Sequence, residues 1–377
     1  MKPIRVLFFF QAGGNWINLR PVYEVMRDDP RFDVEVWTVL SDFKAEEFVE
    51  PSTEVLERDG TPFKRGTDMK LERGQFDVAM VAVPYDAVRA PEFRVPYIKE
   101  RVRHLVYIPY ALEMDGSETT KIRQYSLHAH ALASAIFVRS EFSRKMYRQH
   151  CPTGDKHVFA TGLPRLDGLY DLENRFAVDP SLTEAIGDRF PVLWNTHFSV
   201  NENRISTFDR IGADVLAFAV QSPDVALIWR PHPALFLKMS DAGVLNTTEM
   251  AALKQELADA GVILDQRDDH RHAFAASRAL VTDMSSFLLE YLTTGKPILY
   301  TINPDGLPLT EEGDRLVQNY ERAQTADEVI SFIGRIQQGD DPLREARRKA
   351  LPDYLAGFDG QAAQRAADRI YQIASAK

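Results

Sequence analysis

The chain is predicted to be an α/β protein built from two successive doubly wound parallel sheets. Short apolar runs alternate with longer amphipathic segments along its whole length, the pattern of parallel strands joined by crossover helices. The pattern lapses over the polar residues 169–187 and then restarts. With 377 residues, 45% hydrophobic and 27% charged, the chain suffices for one large core or two ordinary ones, and its length favours two. The expected division is a first Rossmann-like domain over 1–175, a second over 176–356, and a closing helix over 357–377 that packs back on the first. A cleft is expected where the two domains face each other.

The first expected strand is the apolar run at 4–10. It is too short for the core of a secretory signal and has no small-residue cleavage site, so it is read as a buried strand. Further strands of the first domain are expected at 32–39, 76–83, 105–109 and 135–138, with a short one at 158–160. The second domain repeats the pattern at 191–195, 225–229, 262–264, 279–282 and 298–301. Helices close the chain over 326–337, 342–355 and 361–376.

Composition narrows the function classes. A net charge of −10 and an isoelectric point near 5.5 disfavour a nucleic-acid partner, whose binding draws on basic contacts to phosphate. The single cysteine, Cys151, rules out an internal disulfide and suits a reducing, cytoplasmic compartment. No apolar run reaches 18 residues and no basic amphipathic helix stands out, so membrane contact is expected to be peripheral at most, at the inner face.

Arg230-Pro231-His232-Pro233 is the most informative segment. Both Arg230 and His232 precede a proline, which drives the backbone into the extended region and removes two amide donors, so the segment cannot be helical. A cation and an imidazole are thereby placed at the carboxyl end of the strand at 225–229, where open α/β sheets bind their ligands. In Thr282-Asp283-Met284-Ser285-Ser286 a buried strand turns directly into a helix that stops at Gly295. With Asp283 or Ser285 as N-cap, no carboxylate closes a capping box, which leaves the first amides and two hydroxyls open to an anion. Serines that only cap a core helix have the same pattern.

Three other segments are candidates. Asn195-Thr196-His197-Phe198-Ser199 ends the strand at 191–195 in polar groups on the edge where His232 lies. Gly162-Leu163-Pro164-Arg165-Leu166-Asp167 is a rigid turn presenting Arg165 and Asp167, which as a plain reading are a surface pair. Gln11-Ala12-Gly13-Gly14 follows the first strand without the Gly-x-Gly-x-x-Gly spacing, so a dinucleotide is disfavoured, and the loop is assigned to the acceptor. His128-Ala129-His130 and His270-Arg271-His272 lack the companions of a metal site and are read as exposed histidines. No metal and no cofactor are expected.

Taken together, these segments resemble the CDP-glycerol glycerophosphotransferase family, which includes teichoic acid polymerases and primases. The matches run in the family's order: Val138-Arg139-Ser140-Glu141-Phe142, Gly162 to Asp167, Trp194-Asn195-Thr196-His197, Arg230 to Pro233, and Thr282 to Ser286 with Glu290-Tyr291 and Gly295-Lys296-Pro297. The resemblance implies the GT-B architecture of two Rossmann-like domains and transfer of glycerol phosphate, or a similar polyol phosphate, from a CDP-activated donor to a glycan or lipid-linked acceptor, releasing CMP. It also implies that Arg230, His232, Ser285 and Ser286 grip the donor diphosphate and that His232 acts in catalysis by stabilising the departing nucleoside monophosphate. Asp283, Thr196, Ser199 and Arg165 complete the expected donor set, and Gln11, Gly13, Gly14 and Tyr110 the acceptor set. One departure stands out, because the family's amino-domain histidine is missing from Tyr107-Ile108-Pro109-Tyr110-Ala111-Leu112-Glu113-Met114-Asp115-Gly116. The base is then Glu113, Asp115 or His197. The rival readings are a GT-B glycosyltransferase using a nucleotide-sugar and a non-catalytic nucleotide-binding homologue.

Overall fold

The computed structural model describes residues 2–42, 47–112, 114–200, 205–243 and 245–376. They form two compact units. The first comprises Met1–Leu112, Glu118–Tyr170 and Pro352–Lys377, and the second Glu113–Ser117 and Asp171–Leu351.

The first unit holds strands β1 (Ile4–Phe10), β2 (Phe32–Thr38), β3 (Val78–Val81), β4 (His104–Tyr107), β5 (Ala135–Val138) and β6 (Val158–Ala160) in the order β2-β1-β3-β4-β5-β6. All neighbours are parallel, and β1 pairs with β2 from Ile4↔Phe32 to Phe10↔Thr38. After β2 the chain crosses to the other side of β1, so β1 and β3 flank the topological switch point. Six of the seven residues of β1 are buried, as expected of a strand covered on both faces.

The second unit holds β7 (Phe190–Thr196), β8 (Val225–Pro231), β9 (Ile263–Leu264), β10 (Ala279–Thr282), β11 (Ile298–Thr301) and β12 (Glu321–Ala323) in the order β12-β11-β10-β7-β8-β9, again parallel. Here the switch point lies between β7 and β10. Beneath it Trp194 stacks on Trp229 at 5.6 Å, and Phe208 lies nearly parallel to Trp229 at 5.2 Å.

Several expectations need correction. Strand β12 was not anticipated, because Glu-Arg-Ala at a sheet edge has no apolar run to betray it. The helix after β10 runs only from Phe287 to Glu290, followed by a 3₁₀ turn at Tyr291–Thr294 and by left-handed Gly295. Gly13 and Gly14 are not loop residues but open the helix Gly13–Arg27. Arg165 and Asp167 do not pair. Asp167 instead accepts the amides of Ala362 at 2.9 Å and Ala363 at 2.8 Å, capping the final helix Ala362–Ser375, while Arg31 reaches Asp368 of that helix at 2.6 Å. The histidines read as exposed divide. His128 is exposed beside Asp86, whereas His130 is fully buried between Tyr107 and Tyr147, and His270 is buried 3.1 Å from the Glu290 carboxylate.

Candidate active site

Polar residues at the carboxyl ends of β7, β8 and β10 meet at the switch point of the second sheet. Register sets the meeting, since Asn195 lies opposite Arg230 on one side and Thr282 on the other. Its amide therefore bridges three strands: Nδ2 donates to the Arg230 carbonyl at 2.9 Å, and Oδ1 accepts from Thr282 Oγ1 at 3.1 Å and Ser285 Oγ at 3.0 Å. Ser285 Oγ also accepts the Phe287 amide at 3.2 Å. Ser286 occupies the cap position of the short helix with no side-chain capping bond. Both serines are half-buried.

His197 and His232 lie side by side, with ring centroids 5.7 Å apart and Phe198 against both. The extended Pro-locked backbone places His232, whose amide donates to the Thr196 carbonyl at 2.8 Å. Each ring has its Nδ1 engaged by a backbone amide: Ser199 donates to His197 at 3.2 Å and Ala234 to His232 at 3.1 Å. An amide can only donate, so each Nδ1 is an acceptor and the proton of the neutral ring sits on Nε2. Ser199 Oγ lies 2.9 Å from the same nitrogen of His197. Burial, with a smaller contribution from His232, pushes His197 down to about 4, and burial also lowers His232. At neutral pH the site thus presents two uncharged Nε2–H donors.

Asp283 organises the loops around this pair. Its carboxylate is fully buried and accepts the His197 amide at 2.8 Å, the Thr207 amide at 3.2 Å and the hydroxyls of Thr207 and Thr301 at 2.5 and 2.8 Å. Burial nevertheless raises its pKa to about 6. The expected donor residue Asp283 therefore faces the interior and is not the N-cap of the following helix. Thr196 is also enclosed, 0% exposed, with its hydroxyl accepting Trp229 Nε1 at 3.1 Å.

Arg230 is committed within the chain. It donates to Asp265 at 2.6 Å and to the Arg267 carbonyl at 2.6 Å, and Arg267 reaches the other oxygen of Asp265 at 2.8 Å. One buried carboxylate thus lies between two guanidiniums. Asp265 was not singled out from sequence, although its place just after β9, opposite the end of β8, was a usable signal.

The remaining candidates lie elsewhere. Arg165 belongs to the first unit and donates to the Tyr110 carbonyl at 2.9 Å, while the Tyr110 hydroxyl bonds that of Tyr85. Asp115 belongs to the second unit, accepts the Ser117 amide and hydroxyl, and bridges to Leu309. Glu113 lies outside the described residues. Gln11, Gly13 and Gly14 are together in the first unit at the end of β1.

Two six-stranded parallel units of Rossmann type, with imidazoles and hydroxyls gathered at a strand switch point, define a protein of the GT-B fold. A family model described as CDP-glycerol:poly(glycerophosphate) glycerophosphotransferase matches residues 110–372. The chain belongs to that family and is a CDP-glycerol glycerophosphotransferase-like transferase. Among solved structures, a UDP-N-acetylglucosamine 2-epimerase is similar with a TM-score of 0.67 at 15% identity, over 98% of this chain and 96% of the other. The UDP-GlcNAc 2-epimerase of Neisseria meningitidis gives a TM-score of 0.61 at 12% identity, covering 98% of this chain and 100% of the other. The wall teichoic acid polymerase TagF gives 0.60 at 13% identity, covering 99% and 90%. These identities speak to the fold alone. Comparison with curated protein sequences returns no match.

Proposed function

We propose that this chain transfers glycerol phosphate, or a similar polyol phosphate, from a CDP-activated donor to a hydroxyl of a glycan or lipid-linked acceptor in the synthesis of a teichoic-acid-like surface polymer. The acceptor hydroxyl gives its proton to a carboxylate base, Glu113 or Asp115, its oxygen forms a bond to the distal phosphorus, the bond from that phosphorus to the bridging oxygen breaks, and CMP departs with the electron pair. The observation that supports this reading is the pair of locked imidazoles, whose two Nε2–H donors suit the charge stabilisation that a leaving phosphate needs. Fixed donors in a partly desolvated site stabilise developing negative charge without reorganisation. Ser285 and Ser286 supply further hydroxyls, and Arg230 holds its share of positive charge against Asp265. In the Nε2–H tautomer His197 acts as a donor rather than as the base.

Family membership supports the donor class, and likeness to TagF agrees with the polymer class. No helix among the described residues is long and apolar enough to cross a membrane. The test is product analysis with CDP-glycerol, CDP-ribitol and UDP-sugars. Release of CMP with phosphate incorporated into acceptor, reduced about 10²-fold or more in His232→Ala, is the expected result. Turnover of UDP-sugars alone overturns the donor assignment, and full activity in His232→Ala overturns the mechanism.

A further inference from the structure

The switch point of the first sheet, at the carboxyl ends of β1 and β3, opens into a cavity lined by Gln11, Asn15, Trp16, Val83 and Arg89. Its enclosed part admits a single water-sized group. Gln11 is 5% exposed and Trp16 2%, and neither Gln11 Nε2 nor Trp16 Nε1 has a hydrogen-bond partner among the described residues. The orientation of the Gln11 amide is determined, because Arg89 Nε donates to Gln11 Oε1 at 3.0 Å, which leaves the NH₂ end as the unpartnered one. An indole N–H can only donate, so Trp16 has no alternative role. A buried donor left unpaired loses its hydration with nothing to replace it, so each of the two favours an acceptor arriving from outside the chain.

Charge points the same way. Arg89 is buried at 2% exposure and makes its contacts to neutral acceptors, namely Gln11 Oε1 and the carbonyls of Val83 and Phe93. Among the described residues no carboxylate lies within ion-pair distance of it; Asp86 acts on its charge only from farther away, its own carboxylate being engaged by the Val95 amide and His128. Beside the cavity the helix Gly13–Arg27 starts with no side-chain cap and no acidic residue in its first turn, so the positive end of its dipole is also uncompensated. A neutral hydroxyl would satisfy the donors but leave the buried cation to the distant Asp86 alone, whereas an anionic oxygen satisfies both.

We propose that this cavity is an oxyanion subsite, in which one oxygen of a phosphate or carboxylate group accepts from Gln11 Nε2 and Trp16 Nε1 in the field of the Arg89 guanidinium. The rest of the ligand lies at the mouth, beside Asn15 and the start of the helix. All of these groups belong to the first unit, and the subsite stands whether or not the transferase reading does.

The test follows the indole Nε1–H resonances of the full chain, labelled with ¹⁵N at its four tryptophans. Trp16→Phe identifies the Trp16 signal. Inorganic phosphate, glycerol 3-phosphate and acetate are titrated against chloride at matched ionic strength, with no nucleotide present. The Trp16 resonance is expected to shift saturably with at least one of the three, and Gln11→Leu to weaken that binding about tenfold or more, which corresponds to about 1.4 kcal/mol. Gln11→Glu, which keeps the shape and sets a carboxylate against Arg89, is expected to abolish binding and decides the matter should Gln11→Leu not fold. Equal affinity for inorganic and esterified phosphate marks a free-anion site, and tighter binding of glycerol 3-phosphate marks a phosphoester ligand. A shift no larger than that of chloride, or unchanged binding in Gln11→Glu, overturns the proposal. Because no donor is used, failure here leaves the His232→Ala result untouched.

Discussion

The two sheets carry their polar groups at the same topological place and treat them in opposite ways. At the β7/β10 switch point and the adjoining ends of β8 and β9, the carboxylates of Asp283 and Asp265 gather amides, hydroxyls and two guanidiniums into a network satisfied from within the chain. At the β1/β3 switch point no carboxylate among the described residues bonds Arg89, Asp86 acting on it only at longer range, and Gln11 Nε2 and Trp16 Nε1 are left without partners among the described residues. An internally satisfied network holds its imidazoles in one orientation before any ligand arrives, which suits electrostatic preorganisation. A set of unpaired donors instead makes its stability depend on what binds. The comparison separates a site built to be rigid from one built to be filled.

Removing the carboxylates of the second unit breaks the first half of this contrast. Asp265→Ala leaves the Arg230 guanidinium without a carboxylate among the described residues, while Arg267 keeps Asp179 and Ser181, and is expected to lower the unfolding free energy by about 3–5 kcal/mol, measured by denaturant titration. A loss below about 1 kcal/mol would show that the network holds nothing. Asp283→Ala is expected to cost less, about 2–3 kcal/mol, because it strands amide and hydroxyl donors rather than charges and relieves the burial of a carboxylate.

The pH dependence of stability sharpens the same point. Burial raises Asp283 to about 6 from its ordinary 3.8, so between those values the folded state keeps a proton that the unfolded chain has released. Its contribution therefore grows as pH falls through that window. His197, pushed down to about 4 from 6.5, behaves oppositely: the unfolded chain takes up a proton that the folded state refuses, and stability is lost as pH falls from 6.5 to 4. The two slopes offset. Asp283→Asn removes only the first, and the variant is expected to lose about 2–3 kcal/mol more than the parent chain between pH 6.5 and 4. Parallel pH profiles for the two proteins would show that Asp283 does not titrate there. The smallest effect belongs to the first unit, where Asp167→Ala uncaps the final helix and is expected to cost about 1 kcal/mol, read as a drop in melting temperature.

The sequence by itself determined those features that local chemistry dictates. Predominantly apolar runs made β1, β5, β10 and β11 legible to the residue, and the prolines around Arg230 and His232 forced an extended exit from β8. The placement of His197, His232 and Ser285 at one sheet end was readable from strand ends alone. Tertiary structure decided which side chains pair, because those partners lie 35 to 90 positions apart and are set by strand order and register. It turned Asp283 inward and Arg230 onto Asp265, and it joined Asp115 to the second unit through its bridge to Leu309. A linear pattern reports backbone state and average burial. It does not report which donor meets which acceptor, and for a buried carboxylate or guanidinium that meeting sets whether it binds a ligand or holds the fold.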